Sequence, residues 1–195
     1  MAAIDDPEER GLVGLLRAGD PAAFRRVYAL HNRGIFTFLL RLSARREVAE
    51  DLAQETWLRF ARSAPRISED TRLAPYVFTI ALNAHRSHRR WAALDVSRLL
   101  LLGLAEEKSR PREEEATDAR FMLRSLTSAI AKLRTGDREI LLLVGVHGFE
   151  PKEAAQVLQL SPEALRARLS RARERLREQM FRAEQGLAEQ GERHG

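Results

Sequence analysis

The residues best placed for chemistry are arginines at helical spacing. Between Ser161 and Arg177, six of them (Arg166, Arg168, Arg171, Arg173, Arg175 and Arg177) surround an apolar seam of Leu165, Leu169, Ala172 and Leu176. A seam stepped four, three and four residues predicts a helix packed on one side only, which leaves the guanidinium groups to a polyanion. Guanidinium forks suit phosphate oxygens and guanine edges alike, and side chains in the first two turns are the ones that reach bases. The alternative is a solvated amphipathic helix whose arginines pair with Glu163, Glu174 and Glu178. Six arginines against three acids favour the polyanion.

Two further constellations stand upstream. In Asp51-Leu-Ala-Gln54-Glu55-Thr-Trp-Leu58, helical rotation puts Ala49, Leu52, Ala53, Thr56 and Phe60 on one face and Asp51, Gln54, Glu55 and Leu58 on the other. An acidic face holding a leucine is either a docking surface or an ordinary exposed one. From Asn83 to Trp91, Arg86, Arg89, Arg90, His85, His88 and a terminal indole follow a run containing Tyr76 and Phe78. Basic residues interleaved with aromatics suit single-stranded or opened nucleic acid, where bases stack.

Other chemistry finds little support. The chain has no cysteine, which removes disulfides, thiolate zinc sites, thiol nucleophiles and iron–sulfur clusters together. His85 and His88 are three apart with no third ligand at helical spacing, so no metal is expected, and His31 and His147 read as structural. There is no glycine-rich phosphate loop, no G-x-S-x-G and no H-E-x-x-H. Glu113 to Glu115 fall in a linker-like stretch with nothing apolar around them to shift a pKa. Neither an enzyme, a cofactor nor a small-molecule substrate is expected.

These groups need helices to position them. The 195 residues carry a formal charge of +5, with 44% hydrophobic and 31% charged residues, and no apolar run approaches a membrane span. The N-terminus is acidic where a secretory signal is basic, so a cytoplasmic protein without membrane insertion is expected. The period of the apolar residues predicts an all-α protein of two small helical domains joined by a flexible linker, the second with a helix-turn-helix.

The first domain spans 10–94. Its helices run from a cap at Asp20-Pro21 through Leu42, from about Glu47 to Ser63, and, after a break at Pro65 to Ser68, from near Thr71 into Trp91 with Pro75 in the first turn. A linker follows over 95–118. Its apolar run Leu99 to Leu104 fits a short helix that docks on a partner or on either domain, and Glu106 to Asp118 is charged and without large apolar residues. The second domain spans 119–182, with helices at Phe121 to Leu133, Arg138 to His147 closed by Gly148, Pro151 to Leu158, and Pro162 to about Phe181. Thr135-Gly136-Asp137 offers a turn and cap, and Gln159-Leu160-Ser161 turns the chain between the last two helices. A frayed tail is expected over 183–195.

Taken together, the residues resemble the extracytoplasmic-function (group IV) sigma factors of bacterial RNA polymerase, in the sigma-70 family. The resemblance covers about Gly19 to Trp91 (sigma region 2) and about Ala119 to Arg177 (sigma region 4), in that order. The segment from Ala49 to Leu58 resembles A-E-D-L-x-Q-E-T-F-L, whose acidic face docks on the clamp coiled coil of the polymerase's largest subunit. The resemblance therefore implies core binding by Asp51, Gln54, Glu55 and Leu58. Tyr76-Val-Phe-Thr-Ile-Ala-Leu-Asn83 lies on W-L-Y-R-I-A-R-N, ahead of the basic segment that opens and reads the −10 element. That implies −10 contacts from Tyr76, Asn83, His85, Arg86, Ser87, Arg89 and Arg90. Thr79 and Leu82 stand where the family has arginines, and Ser87 where it often has Asp.

In the second half, Leu133-Arg134-Thr-Gly-Asp-Arg138-Glu-Ile-Leu-Leu-Leu resembles L-P-x-x-x-R-E-V-L-L-L. The segment Lys152 to Arg173 resembles E-E-I-A-E-I-L-G-I-P-x-G-T-V-K-S-R-L-x-R-A-R, with Gln159 in place of the turn glycine and Glu163-Ala164 in place of a Gly-Thr pair that commonly contacts phosphate. Arg166, Ala167, Ser170 and Arg171 then face the −35 element, with Arg168 and Arg173 beside them. The implied partners are core RNA polymerase, promoter DNA and an anti-sigma factor, which in this family is often membrane-bound. A linker of ~24 residues reaches at most ~80 Å, or about twenty base pairs, so both elements can be held at once. The rival readings are a stand-alone helix-turn-helix regulator and a protein–protein adaptor.

Overall fold

A computed structural model describes residues 7–101, 126 and 128–192. Among them every regular element is helical. The chain divides into two compact units, Met1–Arg112 and Glu113–Gly195.

The first unit consists of α1 (Pro7–Arg17), α2 (Pro21–Ser43), α3 (Arg46–Ser63), a 3₁₀ turn (Ala64–Arg66) and α4 (Leu73–Leu101). α2 starts where expected: the Asp20 carboxylate accepts a hydrogen bond from the Ala22 N–H at 2.7 Å, and Pro21 follows with its φ already helical. Its core joins Ile35, Phe38 and Leu39 of α2, Ala49 and Phe60 of α3, and Val77, Ala81 and Leu82 of α4. The Phe38 and Phe78 rings meet at 5.3 Å. Burial of this apolar surface holds the three helices together.

α1 is unannounced by the sequence. Gly11 and Gly14 dilute its propensity, so the helix depends on docking Val13 and Leu16, both 2% exposed, against α2 and the 3₁₀ turn. An ion pair between Arg17 and Glu69 fastens its end. α4 also departs from expectation. It carries helix over 95–101, inside the stretch read as linker, so Leu99 to Leu101 continue α4 instead of forming a separate helix. Leu102 to Leu104, and the charged run to Asp118, lie outside the described residues.

The second unit holds a helical segment at 128–132, α5 (Thr135–Leu141), a π-helical turn (Leu142–Val146), α6 (Pro151–Leu158) and α7 (Pro162–Glu192). The expected Phe121 helix falls outside the described residues as far as 125. α5 begins at Thr135, three residues earlier than Arg138, because the Arg134 carbonyl already accepts from the N–H groups of Asp137 and Arg138 at 3.0 Å each. Asp137 is thus inside the first turn. At the other end the helix widens into the π turn, burying Leu142 and Leu143, and Gly148 at φ 68° redirects the chain. The Glu150 N–H donates to the Glu153 carboxylate at 2.8 Å, which caps α6.

α7 does not stop near Phe181. It runs to Glu192, through most of the tail expected to fray, because Ala, Glu, Gln and Leu dominate 183–192 and outweigh Gly186 and Gly191. Among the described residues no helix is long and apolar enough to cross a membrane.

Candidate nucleic-acid interface

Between α6 and α7 the chain turns at Gln159, whose φ of 56° and ψ of 47° lie in the left-handed region. The Leu160 N–H returns to the Ala155 carbonyl at 2.9 Å, and the Ser161 hydroxyl accepts from the Ala164 N–H at 3.1 Å to open α7. Short helix, tight turn and long helix form the helix-turn-helix unit that presents its second helix to a DNA groove. The seam sits as the spacing requires: Leu165, Leu169 and Ala172 are buried and Leu176 is half-buried.

The arginines of α7 divide into two sets. Arg166, Ala167, Ser170, Arg171 and Arg173 are exposed and share one flank of the helix. Arg168 and Arg175, one heptad apart, turn towards α5 instead. Arg175 donates to the Asp137 carboxylate at 2.7 Å, and the Arg168 guanidinium lies against Gly136, where an added Cβ would come within 2.7 Å of Nη2. The assignment of Arg168 to the −35 face is therefore corrected: its guanidinium packs on the first turn of α5. Arg177 pairs with Glu174. Glu163, in the first turn of α7, is fully exposed. Hydrogen bonds from its own N–H and from Ser161, with Arg166 adding its charge, hold its carboxyl below the usual carboxylate value. A fixed negative charge thus stands at the start of α7.

α4 sorts the second set of expected contacts. Asn83, His88, Arg89 and Arg90 are exposed, Arg86 and Ser87 are half-buried, and Tyr76 lies half-buried with its ring 6.2 Å from that of Phe60. His85 is corrected: it is 1% exposed and faces the core beside Ala81 and Ala84. Its position, two residues past Asn83, rotates it ~200° around the helix.

On α3, Asp51 and Gln54 are exposed, Leu58 is 47% exposed, and Glu55 accepts from Arg59 Nε at 2.6 Å. They do not stand alone. Gln54 and Leu58 rim an open groove of about 560 Å³ whose floor is Phe24, Tyr28, Phe36 and Trp57. The Tyr28 and Trp57 rings meet at 4.8 Å, and Trp57 Nε1–H donates to Asn32 Oδ1 at 2.9 Å. The sequence reading missed this groove. Its signal was a strict four-residue stripe on α2: Phe24, Tyr28, Asn32 and Phe36.

Comparison with known proteins agrees with this architecture. Residues 27–93 match the family description "Sigma-70 region 2" and residues 123–176 match "Sigma-70, region 4". The RNA polymerase sigma factor CarQ of Myxococcus xanthus is 33% identical over 164 residues, covering 82% of this chain and 90% of CarQ. CnrH of Cupriavidus metallidurans is 28% identical over 182 residues, covering 88% and 94%. Among solved structures, the sigma factor RpoE of Bartonella quintana, in complex with the anti-sigma factor NepR, superposes with a TM-score of 0.68 at 26% identity, over 81% of this chain and 96% of that one. CnrH bound to the cytosolic domain of CnrY gives 0.64 at 26% identity, over 86% and 94%. With both sigma regions in order on helices of the matching kind, the chain belongs to the extracytoplasmic-function sigma factors of the sigma-70 family and is an alternative sigma factor that directs transcription initiation.

Proposed function

We propose that the two units divide the work of initiation by residue. In the first, over 10–94, Asp51, Gln54, Glu55 and Leu58 dock on the clamp helices of the polymerase's largest subunit, and the groove floored by Tyr28 and Trp57 takes an apolar side chain from the same partner. The flank of α4 that carries Asn83, Arg86, Ser87, Arg89 and Arg90 contacts the −10 element. In the second, over 119–182, Arg166, Ala167, Ser170, Arg171 and Arg173 read −35 duplex. The residues between form the linker. Polymerase supplies the catalysis. Docking on polymerase places the activity in the cytoplasm, and an anti-sigma factor restrains it, as NepR and CnrY bind the related RpoE and CnrH.

The observation that carries this reading is the presence, in one chain, of an outward guanidinium face on a helix-turn-helix and a separate acidic face edged by an aromatic groove. A DNA reader alone has no use for the second. The test is run-off transcription with sigma-free bacterial core. Glu55→Arg abolishes core binding with helicity unchanged; Arg171→Ala keeps core binding and lowers output from a −35-dependent promoter about tenfold, one lost groove contact. Unchanged core affinity in the first variant removes the docking assignment. Tight, specific duplex binding without polymerase points to a stand-alone regulator instead.

A further inference from the structure

The reading end of α7 is closed to phosphate. A helix ordinarily leaves its first backbone N–H groups without partners, and DNA-binding helices use such groups on phosphate oxygens. In α7 each is taken. Pro162 has no N–H to offer. The N–H of Glu163 donates to its own carboxylate, that of Ala164 to the Ser161 hydroxyl at 3.1 Å, and that of Leu165 to the Ser161 carbonyl at 2.9 Å. Over this closed end stands a carboxylate.

The direction of that carboxylate matters. Glu163 precedes Arg166, Ala167 and Ser170 by three, four and seven residues, so it shares their outward flank, and all four are exposed. From Pro162 to Arg168 the chain holds two bases and one acid. Arg168 is turned onto Gly136, which leaves Arg166 and Glu163 as the outward charges of the first two turns, and these cancel. The carboxyl stays ionised near neutral pH, because its hydrogen bonds and the charge of Arg166 favour that form. As α7 approaches a duplex, a negative charge at its leading end therefore meets the same phosphate backbone that Arg171 and Arg173 attract.

We propose that Glu163 is a brake on duplex binding: it opposes the phosphates nearest the start of α7 and so weakens the hold of the free chain on any duplex, promoter or not. The proposal rests on the assignment of α7 to the −35 element and adds to it a residue that sets how tightly the helix binds, not which sequence it prefers. Arginine contacts to phosphate act on all DNA alike, so a reader without such a brake is drawn to non-promoter sites. In holoenzyme the tether to an anchored first unit compensates for the weaker contact; in the free chain nothing does.

The test uses the full chain without polymerase, on duplexes with and without a −35 element recovered by run-off transcription, over a range of salt. Glu163→Gln keeps the shape of the side chain and removes its charge. It tightens binding to both duplexes by about 2- to 5-fold at low salt, a gain that fades as salt rises. Glu163→Lys adds a phosphate contact in place of a repulsion and steepens the slope of log affinity against log salt by about 1. Both variants keep the wild-type preference between the two duplexes. Unchanged affinity and salt slope in both variants overturn the proposal. So does weaker binding by Glu163→Gln, or a preference lost at a single base pair, either of which makes the carboxylate a base contact. Failure of the parent reading looks different: Arg171→Ala then binds duplex as tightly as wild type, and α7 is not the DNA face.

Discussion

Gln159 holds the tightest turn of the helix-turn-helix with a residue that fits it poorly. At φ 56° its Cβ crowds the backbone, a strain glycine does not feel. Gln159→Gly is expected to stabilise the second unit by about 0.5–1 kcal/mol, read as a raised denaturant midpoint. A lowered midpoint means the Gln159 side chain makes a contact that outweighs the strain. A second residue ties stability to pH. Burial pushes the His31 imidazole below its ordinary value, so the folded state disfavours its charged form. In the unfolded chain it protonates below about pH 6.5. The unfolded state therefore binds more protons there, and stability is complete above that pH and declines as pH falls towards the folded value. Wild type should lose more melting temperature between pH 7.5 and 5.5 than His31→Gln; equal losses would sink the assignment.

At the scale of elements, α7 is aimed by α5. The Asp137 carboxylate, its side chain only 8% exposed, receives Arg175 from three turns along the recognition helix, and Arg168 lies over Gly136 beside it. Removing one partner strands a shielded charge, so Arg175→Leu should cost about 1–2 kcal/mol, a figure tempered by the half-exposure of Arg175. It should also lower −35-dependent transcription more than −35-independent transcription, because the helix loses its strut; equal effects would reduce the pair to general stability. Asp137→Leu combined with Arg175→Leu should be less harmful than Arg175→Leu alone. This strut was out of reach of the sequence. A helical wheel separates buried from exposed, and it placed Leu165, Leu169 and Ala172 correctly, but it treats all arginines off the seam alike. Which of them meets α5 depends on how the helices cross, a tertiary fact. The same limit hid the α2–α3 groove, whose two stripes are each ordinary, and misjudged His85, where polarity was taken for exposure. Boundaries set by local chemistry fared better: Asp20-Pro21, Pro151 and Ser161-Pro162 start helices where caps and fixed φ dictate. α1 failed that test because Gly11 and Gly14 conceal a helix that packing alone sustains.

At the scale of the molecule, neither reading surface needs to be strong. α7 offers Arg166, Arg171 and Arg173 outward, a small set for a phosphate-neutralising surface, and Glu163 subtracts from it. Covalent connection raises the effective concentration of the second reader once the first is anchored, a gain of roughly 10²–10⁴ that requires no new contact. Helix over 95–101 leaves 102–118 of the expected linker, whose extended limit is ~58 Å or about seventeen base pairs, still enough for two sites on one face of a duplex. The connection itself can be tested by inserting a protease site between Arg112 and Glu113, where the two units divide. Holoenzyme is assembled with the intact chain, then cut. Since only the first unit carries the proposed docking face, cleavage should release the second and lower transcription from a −35-dependent promoter by on the order of 100-fold, while core binding by the first unit persists. Output that survives cleavage would mean that polymerase holds the second unit directly, and that a core-docking surface lies on α5, α6 or the outer flank of α7 as well as on α3.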